Sequence, residues 1–362
     1  MAAKVRVGII GTSWWTDLMF LPSFRSHPLA DVTAICGRNR ERADEMANKY
    51  KIPNVFTDYR KLIENGNLDA VLVAAPDDLH YQMTMAALNA DLHVLCEKPM
   101  ALNTQQAQEM YENAEAQRVK HMIFFTNRWH PHFRYLKQLV DDGYIGRCYH
   151  ADFYFLGDYA LQPVYLWRFD GLRANGVVGD LGSHMIDLAR WYVGDIVKVS
   201  AQLGTFVERP GVDNTPLNPA NDTASVNLQF DNGAQGMIRV SAVTNRGDRG
   251  MDIGVRLCGD SGTIEVDHIS SGPEAGVKFR GVRHGEEQFR DLEIPDAFYE
   301  NINKGGEMFD VFIKQSAGPR LFVEAIVEDR PITPNFYDGL KVQEVIDSAL
   351  ESNRKGCWVN LA

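Results

Sequence analysis

The chain has 362 residues, of which 45% are hydrophobic, and a chain of this length usually needs more than one hydrophobic core, so two domains are expected. Its formal net charge of -11 argues against nucleic acid or an anionic membrane surface as the main partner, and no apolar run approaches the roughly 20 residues of a membrane-spanning helix. The five scattered cysteines have neither metal-ligand nor disulfide-framework spacing, and the amino terminus lacks a signal-peptide pattern, which together predict a cytoplasmic protein without a metal site.

Strands and helices alternate in the first third of the chain. Apolar runs predict strands at residues 5–10, 31–36, 55–56, 70–74, 93–96 and 122–125. The stretches between them predict helices up to residue 26 and at residues 40–50, 59–65, 80–89 and 105–117. This alternation predicts a parallel sheet with helices on both faces.

The turn after the first predicted strand is the candidate phosphate-binding turn. It reads Gly11-Thr12-Ser13 and leads into a predicted helix. Glycines let backbone amides approach a pyrophosphate at a helix amino end, and a serine hydroxyl can donate to phosphate. Ser13 and Thr16 stand where a G-x-G-x-x-G motif has its later glycines, so the motif alone is weak and its position after the first strand supports it.

The residues at the end of the second predicted strand indicate whether the chain binds the ribose of NAD or the 2′-phosphorylated ribose of NADP. NAD-binding folds tend to place an acid there, but this chain has Gly37-Arg38. A glycine leaves room for a 2′-phosphate, and an arginine can bind that phosphate through two N–H groups. We therefore favour NADP over NAD. The alternative is that Arg38 only opens a solvated helix.

The loop after the fourth predicted strand also lies on the carboxyl edge of the sheet. Ala75 and Pro76 form a turn there, and His80 begins the next predicted helix. All three residues are candidate cofactor contacts, because ligands bind outside the carboxyl ends of parallel strands. The structural alternative makes Asp78 the cap of that helix.

The fifth predicted strand ends in Glu97-Lys98-Pro99. By the same rule this loop directs Lys98 towards the ligand, and Glu97 is a candidate cofactor contact. The proline restrains the turn, and an ammonium held there can stabilise a developing alkoxide. The alternative is a surface ion pair at a strand end.

The pattern changes after residue 125. It predicts a helix at residues 131–142, a half-buried strand at 148–156 and late helices at 308–317 and 336–352. Further strands are predicted at residues 197–205, 224–230, 235–242, 253–258, 262–266 and 277–280. Hairpin turns are indicated at residues 231–233 and 259–262. The second part is therefore expected to be an α+β domain with an antiparallel sheet and helices on one face.

One stretch of the second part, residues 175–187, combines glycines with polar side chains. Asp180 and His184 are four positions apart, so they share a face of a helix predicted to run to residue 193. A carboxylate raises the proton affinity of a nearby imidazole, and histidine can exchange a proton near neutral pH. The alternative is a histidine with a structural role, and we interpret Asp187 as mainly structural.

The chain resembles the Gfo/Idh/MocA oxidoreductase family, named for glucose-fructose oxidoreductase and inositol dehydrogenase, over nearly its whole length. The motifs that carry the resemblance are Gly8-Ile9-Ile10-Gly11, Ala75-Pro76 with His80, Cys96-Glu97-Lys98-Pro99, Asn127-Arg128, Trp167-Arg168, Gly179-Asp180-Leu181-Gly182-Ser183-His184, Asp222-Thr223-Ala224 and Asp338-Gly339-Leu340. The resemblance implies a Rossmann dinucleotide-binding domain at residues 1–125. It also implies an α+β domain with a large, mostly antiparallel open sheet at residues 126–362, used for substrate binding and for homodimer or homotetramer contacts.

The resemblance further implies hydride transfer between nicotinamide and a sugar, sugar derivative or cyclitol. Lys98 would contact the reacting oxygen, His184 would be the general acid/base, and Asp180 would hold the substrate and assist His184. The pocket walls would include Asn127, Trp167 and Arg168. Specificity is expected in the loops at residues 158–170 and 205–221.

The chain departs from the family pattern at Ser13 and at Gly37-Arg38. These departures put NAD in doubt as the cofactor, but they do not put the predicted fold in doubt. Two other functions stay open within the same resemblance. One is a glycosidase that retains its dinucleotide without net redox change, and the other is a sensor that binds dinucleotide without catalysis. The complete set of Lys98, Asp180 and His184 weighs against the sensor.

Overall fold

The computed structural model describes residues 3–305 and 309–361. Contacts between residues divide the chain into two compact units, each built from two stretches. The first unit comprises Met1–Trp129 and Glu300–Lys341, and the second comprises His130–Tyr299 and Val342–Ala362. The units therefore differ from two consecutive segments that meet at residue 125, because a late segment of the chain packs with the first unit.

A six-stranded parallel sheet forms the centre of the first unit. Its strands are β1 (Val5–Ile10), β2 (Ala30–Cys36), β3 (Asn54–Phe56), β4 (Ala70–Val73), β5 (His93–Cys96) and β6 (His121–Ile123). Their order in the sheet is β3-β2-β1-β4-β5-β6, and every neighbouring pair is parallel. This is the Rossmann order, in which the chain reverses direction across the sheet between β1 and β4 and leaves a crevice for ligands. The predicted parallel sheet is confirmed.

Helices connect these strands. A π-helical stretch at Thr16–Phe20 is followed by α1 (Leu21–Ser26), α2 (Arg40–Tyr50), α3 (Tyr59–Asn65), α4 (Asp77–Leu88) and α5 (Thr104–Gln117). The first residue of α4 lies three positions before the predicted start, and Pro76 occupies its N-cap position. The structural alternative for this loop, in which Asp78 caps the helix, is therefore wrong. Asp77 and Asp78 instead lie in the first turn, where the helix dipole favours negative charge.

The second unit contains a nine-stranded sheet. Its strands are β7 (Cys148–Leu156), β8 (Ile196–Gly204), β9 (Thr223–Phe230), β10 (Gln235–Ser241), β11 (Asp252–Gly259), β12 (Gly262–Ile269), β13 (Gly276–Arg283), β14 (Arg290–Asp291) and β15 (Val359–Asn360). The order is β14-β13-β12-β11-β7-β10-β9-β8-β15. Neighbours are antiparallel, except that β10 pairs with β7 in parallel. The mostly antiparallel sheet and both predicted hairpins, β9–β10 and β11–β12, are confirmed.

Three helices accompany this sheet: α6 (Pro131–Asp141), α7 (Gly176–Asp180) and α8 (Gly182–Tyr192). Helix α8 packs against β7 and β10, and α7 packs against β9 and β10. Along β9 the side chains of Ala224, Val226, Leu228 and Phe230 are buried, whereas the intervening residues are mostly exposed. The alternation shows that, in this single chain, one face of the sheet is covered and the other is open.

The late part of the chain forms α9 (Asp310–Lys314), α10 (Pro319–Val327) and α11 (Phe336–Lys355). The predicted helix at residues 308–317 begins at Met308, which lies outside the described residues. Phe312 and Phe322 are fully buried in one hydrophobic cluster with Ile9 and Phe124, so α9 and α10 complete the core of the first unit. Within residues 3–305 and 309–361, no helix combines the length and apolar character needed to cross a membrane.

Candidate functional site

Gly11 brings the end of β1 against the end of β4. Its φ is +126°, and a Cβ atom on it would lie 2.1 Å from the carbonyl oxygen of Ala74. Its N–H donates to the carbonyl of Cys36 over 2.9 Å, so three strand ends converge at this turn. A side chain on Gly11 would collide with the end of β4, so this close approach of the two strand ends requires glycine.

Ser13 begins the helical segment after this turn. Its Oγ accepts the backbone N–H of Thr16 over 3.2 Å and lies 3.1 Å from the Thr16 hydroxyl. Ser13 therefore replaces the expected glycine with a capping side chain. The helix amino end that follows is the kind of terminus at which phosphate groups bind.

Gly37, at the end of β2, lies directly against the same turn. A Cβ atom on Gly37 would come within 2.5 Å of the Thr12 side chain, so only glycine fits. The exposed Arg38 follows, and no carboxylate partner for it is found among the residues that the structure describes. Arg40 differs, because its guanidinium pairs with Asp44 at 2.9 Å. Arg38 is thus the arginine available to an added phosphate beside Gly37.

His80 is fully buried and braces two loops at the sheet edge. Its Nε2 lies 2.8 Å from the carbonyl oxygen of Ala75, and its Nδ1 lies 2.8 Å from that of Pro99. Burial lowers the pKa of His80, while the two carbonyl oxygens oppose that shift by favouring the protonated ring. The His80 side chain therefore holds the two loops together. Ala75 and Pro76 are partly exposed and lie at the edge of the sheet.

The loop that follows β5 places Lys98 at this edge. The N–H of Glu97 donates to the carbonyl of Val73 over 2.9 Å, which holds the loop beside the end of β4. The Glu97 side chain is buried, and its two oxygens accept the indole N–H of Trp15 over 2.6 Å and the backbone N–H of Lys98 over 3.1 Å. A surface ion pair does not describe this loop, because Glu97 is not at the surface.

Asn127 lies just beyond β6 in the first unit. It is 5% exposed, and its side-chain Nδ2 has no hydrogen-bond partner within the described part of the chain. A buried amide donor without a partner is costly, and a ligand oxygen would relieve that cost. The role of Asn127 as a substrate contact stays a prediction. The neighbouring Arg128 instead forms an ion pair with Asp338 at 3.1 Å.

Asp180 and His184 lie on consecutive short helices of the second unit. Asp180 is the last residue of α7, and His184 lies in the first turn of α8. Leu181 separates the two helices, so the single helix predicted through this stretch is wrong. Both side chains are mostly buried, at 13% exposure for Asp180 and 7% for His184.

Tyr159 and Arg168 both contact the carboxylate of Asp180. The Tyr159 hydroxyl donates to its Oδ2 over 2.6 Å, and the Arg168 Nε lies 3.3 Å from the same oxygen. Loss of hydration and the nearby Asp180 raise the pKa of Tyr159, so the phenol remains a hydrogen-bond donor. Arg168 also stacks on Trp167, with the guanidinium carbon 4.3 Å from the ring centroid. The structure thus brings together three predicted site residues, Asp180, Arg168 and Trp167.

Sequence reasoning did not single out Tyr159 or Asn221. Asn221 fixes the start of α7, because its Oδ1 accepts the N–H of Val178 over 3.0 Å and its Nδ2 donates to the carbonyl of Asn175 over 2.8 Å. Its position immediately before the Asp222-Thr223-Ala224 motif was a usable signal. Tyr159 had only its place within the loop at residues 158–170 as a signal.

Two family models match the chain. The model described as "Oxidoreductase family, NAD-binding Rossmann fold" matches residues 5–125, and the "GFO/IDH/MocA C-terminal domain" matches residues 133–265. The described residues contain no group of three or more His, Cys, Asp or Glu side chains arranged to hold a metal ion. The first of the two descriptions indicates an oxidoreductase that binds NAD.

Similar proteins support the same assignment. Levoglucosan dehydrogenase of Pseudarthrobacter phenanthrenivorans is 29% identical over 90% of this chain and 88% of its own. The scyllo-inositol 2-dehydrogenase (NADP(+)) IolU of Bacillus subtilis is 29% identical over 86% of this chain and 89% of its own. A solved structure of levoglucosan dehydrogenase in complex with NADH and levoglucosan aligns with a TM-score of 0.89 at 26% identity and covers 99% of both chains.

These matches confirm the predicted family and the prediction of an NAD(P)-dependent oxidoreductase acting on CH–OH groups. They include proteins named for NADP and structures that contain NADH, so they leave the preference between the two cofactors undecided. Both parts of the chain match, and the fold agrees over nearly its whole length. The chain therefore belongs to the Gfo/Idh/MocA family of oxidoreductases.

Proposed function

We propose that the protein is a dehydrogenase or reductase that transfers a hydride between a nicotinamide dinucleotide and a sugar, sugar derivative or cyclitol. The observation that carries the proposal is that a chain of this family has an ammonium at the dinucleotide edge, Lys98, together with Asp180 and His184 on adjoining helices. These three groups supply an electrostatic stabiliser, a substrate acceptor and a proton acceptor.

The residues of the first unit fit a dinucleotide. The backbone of Gly11, Thr12 and Ser13 would bind the pyrophosphate, since this turn follows the carboxyl end of β1 and leads into a helix. Ala75 and Pro76 would border the bound cofactor on the other side of the β1–β4 crevice. When bound, the nicotinamide accepts or returns the hydride of the substrate carbon.

Three side chains then bind the substrate and act on its reacting hydroxyl group. In the direction of oxidation, His184 takes the hydroxyl proton as the carbon–hydrogen bond breaks and the carbon–oxygen double bond forms. Lys98 donates a hydrogen bond to that oxygen and stabilises its negative charge. Asp180, held by Tyr159 and Arg168, accepts from a substrate hydroxyl and assists His184. Reduction uses the same groups in reverse.

Replacing Lys98 with Ala tests this assignment. We expect turnover to fall by about 10²–10³-fold, the typical cost of losing one donor to a developing oxyanion, while dinucleotide binding stays nearly constant. The substrate for the assay comes from a panel of sugars and cyclitols followed at the nicotinamide absorbance. Binding is measured separately by fluorescence titration with NADPH. If binding and turnover fell by the same factor, Lys98 would be structural.

We also propose that NADP is preferred over NAD. The support is that an exposed arginine, Arg38, rather than an acid follows Gly37 at the end of β2. Arg38→Ala should lower kcat/KM for NADP by roughly tenfold to a hundredfold, in line with the loss of a hydrogen bond to a charged group, and should leave NAD nearly unaffected. Arg40→Ala is the matched control, because Arg40 is already paired with Asp44. An unchanged NADP/NAD ratio in Arg38→Ala would remove the basis for this preference.

The substrate is expected to be uncharged. Arg168 already pairs with Asp180 and stacks on Trp167, so its charge is compensated. The same panel separates the alternative functions. A dinucleotide-retaining glycosidase would release sugar without a net absorbance change, and a sensor would bind NADPH but turn over nothing.

A homodimer or homotetramer is proposed as the assembled form, because the sheet of the second unit has an open face in the single chain. Light scattering on the purified protein distinguishes these assemblies from a monomer. The cytoplasmic location stays a prediction.

A further inference from the structure

The glycine turn and the Lys98 loop are linked by one buried carboxylate. Trp15 follows Ser13 by two positions, and its indole Nε1–H donates to Oε1 of Glu97 over 2.6 Å. The other oxygen of Glu97 accepts the backbone N–H of Lys98 over 3.1 Å. One side chain therefore connects two loops that lie 82 positions apart in the sequence.

The Trp15 ring is itself held in place. It packs against the hydrophobic core of the first unit and makes edge contacts with Phe309 at 5.1 Å and with Trp14 at 5.5 Å between ring centroids. Glu97 is 9% exposed, so water competes little for its oxygens. Hydrogen bonds to a carboxylate are shorter and about twice as strong as those between neutral groups, which agrees with the 2.6 Å contact.

The fixed carboxylate restrains the residue after it. With one oxygen on Trp15 and the other on the Lys98 amide, Glu97 sets the direction in which the Lys98 backbone leaves β5. Trp15 has no titrating or nucleophilic group, and its one side-chain hydrogen bond among the described residues leads to Glu97 and from there to Lys98.

We propose that Trp15 is a positioning residue, which aims Lys98 through Glu97 from the turn that binds the pyrophosphate. This inference rests on the proposed role of Lys98. It extends that role by making the phosphate-binding turn part of the catalytic support. Dinucleotide affinity depends on the backbone of Gly11–Ser13, so the loss of the Trp15 hydrogen bond should affect turnover more than affinity.

The test uses the full-length protein with three variants. Trp15→Phe removes the hydrogen bond and keeps an aromatic ring. Trp14→Phe makes the same chemical change at a neighbour that is 67% exposed and has no hydrogen bond among the described residues. Glu97→Gln keeps the side-chain volume but removes the negative charge and one of the two acceptor oxygens. Thermal unfolding establishes that each variant is folded, and Glu97→Gln keeps the inference testable if Trp15→Phe does not fold.

Two readouts separate positioning from general damage. Turnover of the substrate found in the panel should fall about tenfold in Trp15→Phe and in Glu97→Gln, with the NADPH dissociation constant changed less than about threefold. Because both variants break one linkage, the double variant should be no slower than the slower single variant. Trp14→Phe keeps an aromatic ring beside Trp15 and leaves the Trp15–Glu97 hydrogen bond in place, so it should behave as the unmodified protein.

The second readout needs neither cofactor nor substrate. Lysines are labelled by reductive ¹³C-methylation, and the Lys98 signal is assigned by its loss in Lys98→Arg. Its chemical shift should change in Trp15→Phe and Glu97→Gln but not in Trp14→Phe. An unchanged Lys98 signal, additive losses in the double variant, or equal losses of affinity and turnover would each overturn the inference. If Lys98→Ala keeps full turnover, the proposed role of Lys98 fails, although the hydride transfer itself stands. If that variant is inactive while Trp15→Phe keeps turnover, only this inference fails.

Discussion

The Tyr159 hydroxyl donates a hydrogen bond to the acceptor oxygen of Asp180. Removing this hydroxyl measures how much the hydrogen bond contributes to kcat/KM. Tyr159→Phe deletes the hydroxyl and leaves Arg168 as the remaining partner in the Tyr159–Asp180–Arg168 set. We expect kcat/KM for the sugar or cyclitol to fall about tenfold, because a hydrogen bond to a charged group is lost. The NADPH dissociation constant, measured by fluorescence titration, should not change.

Tyr149→Phe provides the control for that experiment. Tyr149 is 49% exposed on β7, and its ring lies against Arg147 at 5.2 Å. Its hydroxyl has no hydrogen bond within the described part of the chain. Similar losses in the two variants would show that Tyr159 acts through general packing rather than through Asp180.

Individual site residues were predictable where they follow a strand. Gly11, Gly37 and Lys98 come directly after apolar runs, and the carboxyl ends of parallel strands share one edge, so their placement follows from the strand pattern. Trp15 and Tyr159 were not predictable in this way. Their partners, Glu97 and Asp180, lie 82 and 21 positions away, and no local spacing encodes such contacts.

At the scale of elements, the start of α6 and the end of β12 meet at three histidines. The rings of His130 and His132 lie 5.6 Å apart, and that of His268 lies 4.8 Å from His132 and 6.2 Å from His130. Burial lowers the pKa of His130 to about 3, and it also lowers the pKa values of His132 and His268. All three rings are therefore neutral in the folded protein at pH 7.

This cluster predicts a loss of stability in acid. A histidine with a lowered folded-state pKa stabilises the protein fully above the unfolded pKa of about 6.5, and that contribution falls as the pH drops towards the folded value. Each such histidine should cost up to about 1.4 kcal/mol per pH unit below 6.5. Urea unfolding between pH 7.5 and about pH 5 measures the free energy of unfolding over this range.

Removing one histidine ring tests whether the buried cluster causes the loss of stability in acid. His132→Leu should flatten the dependence of the unfolding free energy on pH. His150→Asn should not, because the His150 side chain is 51% exposed and pairs with Asp152 at 3.1 Å. Identical pH slopes in the two variants would contradict the assignment to the buried cluster.

The elements that the sequence predicted are those with a continuous apolar or alternating pattern. The bounds of β1, β5, β7, α2 and α3 agree with the structure to the residue. Helix α4 begins earlier than predicted because Pro76 is its N-cap, a role that proline fills without donating an N–H. The parallel pairing of β10 with β7 was not predictable, since it joins strands about eighty positions apart by a pairing that the alternating pattern does not specify.

At the scale of the whole chain, Arg128 and Asp338 tie together the two stretches of the first unit. Their side chains are 7% and 17% exposed, and the guanidinium lies 3.1 Å from the carboxylate. Asp338→Asn removes this carboxylate charge from beside the buried guanidinium, which should lower the free energy of unfolding by about 3 kcal/mol. Chemical denaturation measures this change.

An exposed ion pair provides the comparison. Asp44→Asn breaks the Arg40–Asp44 pair, whose side chains are 61% and 43% exposed, and should cost less than about 0.5 kcal/mol. Equal effects of the two substitutions would show that the Arg128–Asp338 pair is not an important link. The ion pair itself joins two motifs that the sequence had marked, Asn127-Arg128 and Asp338-Gly339-Leu340, but their meeting within one unit was not predicted.

The division of the first unit into two stretches has a consequence for how the protein is made. Ribosomes synthesise a chain from its amino terminus, and domains generally fold in the order in which they are made. Here Ile9 and Phe124 gain the covering side chains Phe312 and Phe322 only after residues 130–299 have been synthesised. The sheet that is synthesised early therefore keeps an apolar side uncovered until α9 and α10 have been made. A translational stop before α10 would leave a product that chaperones bind.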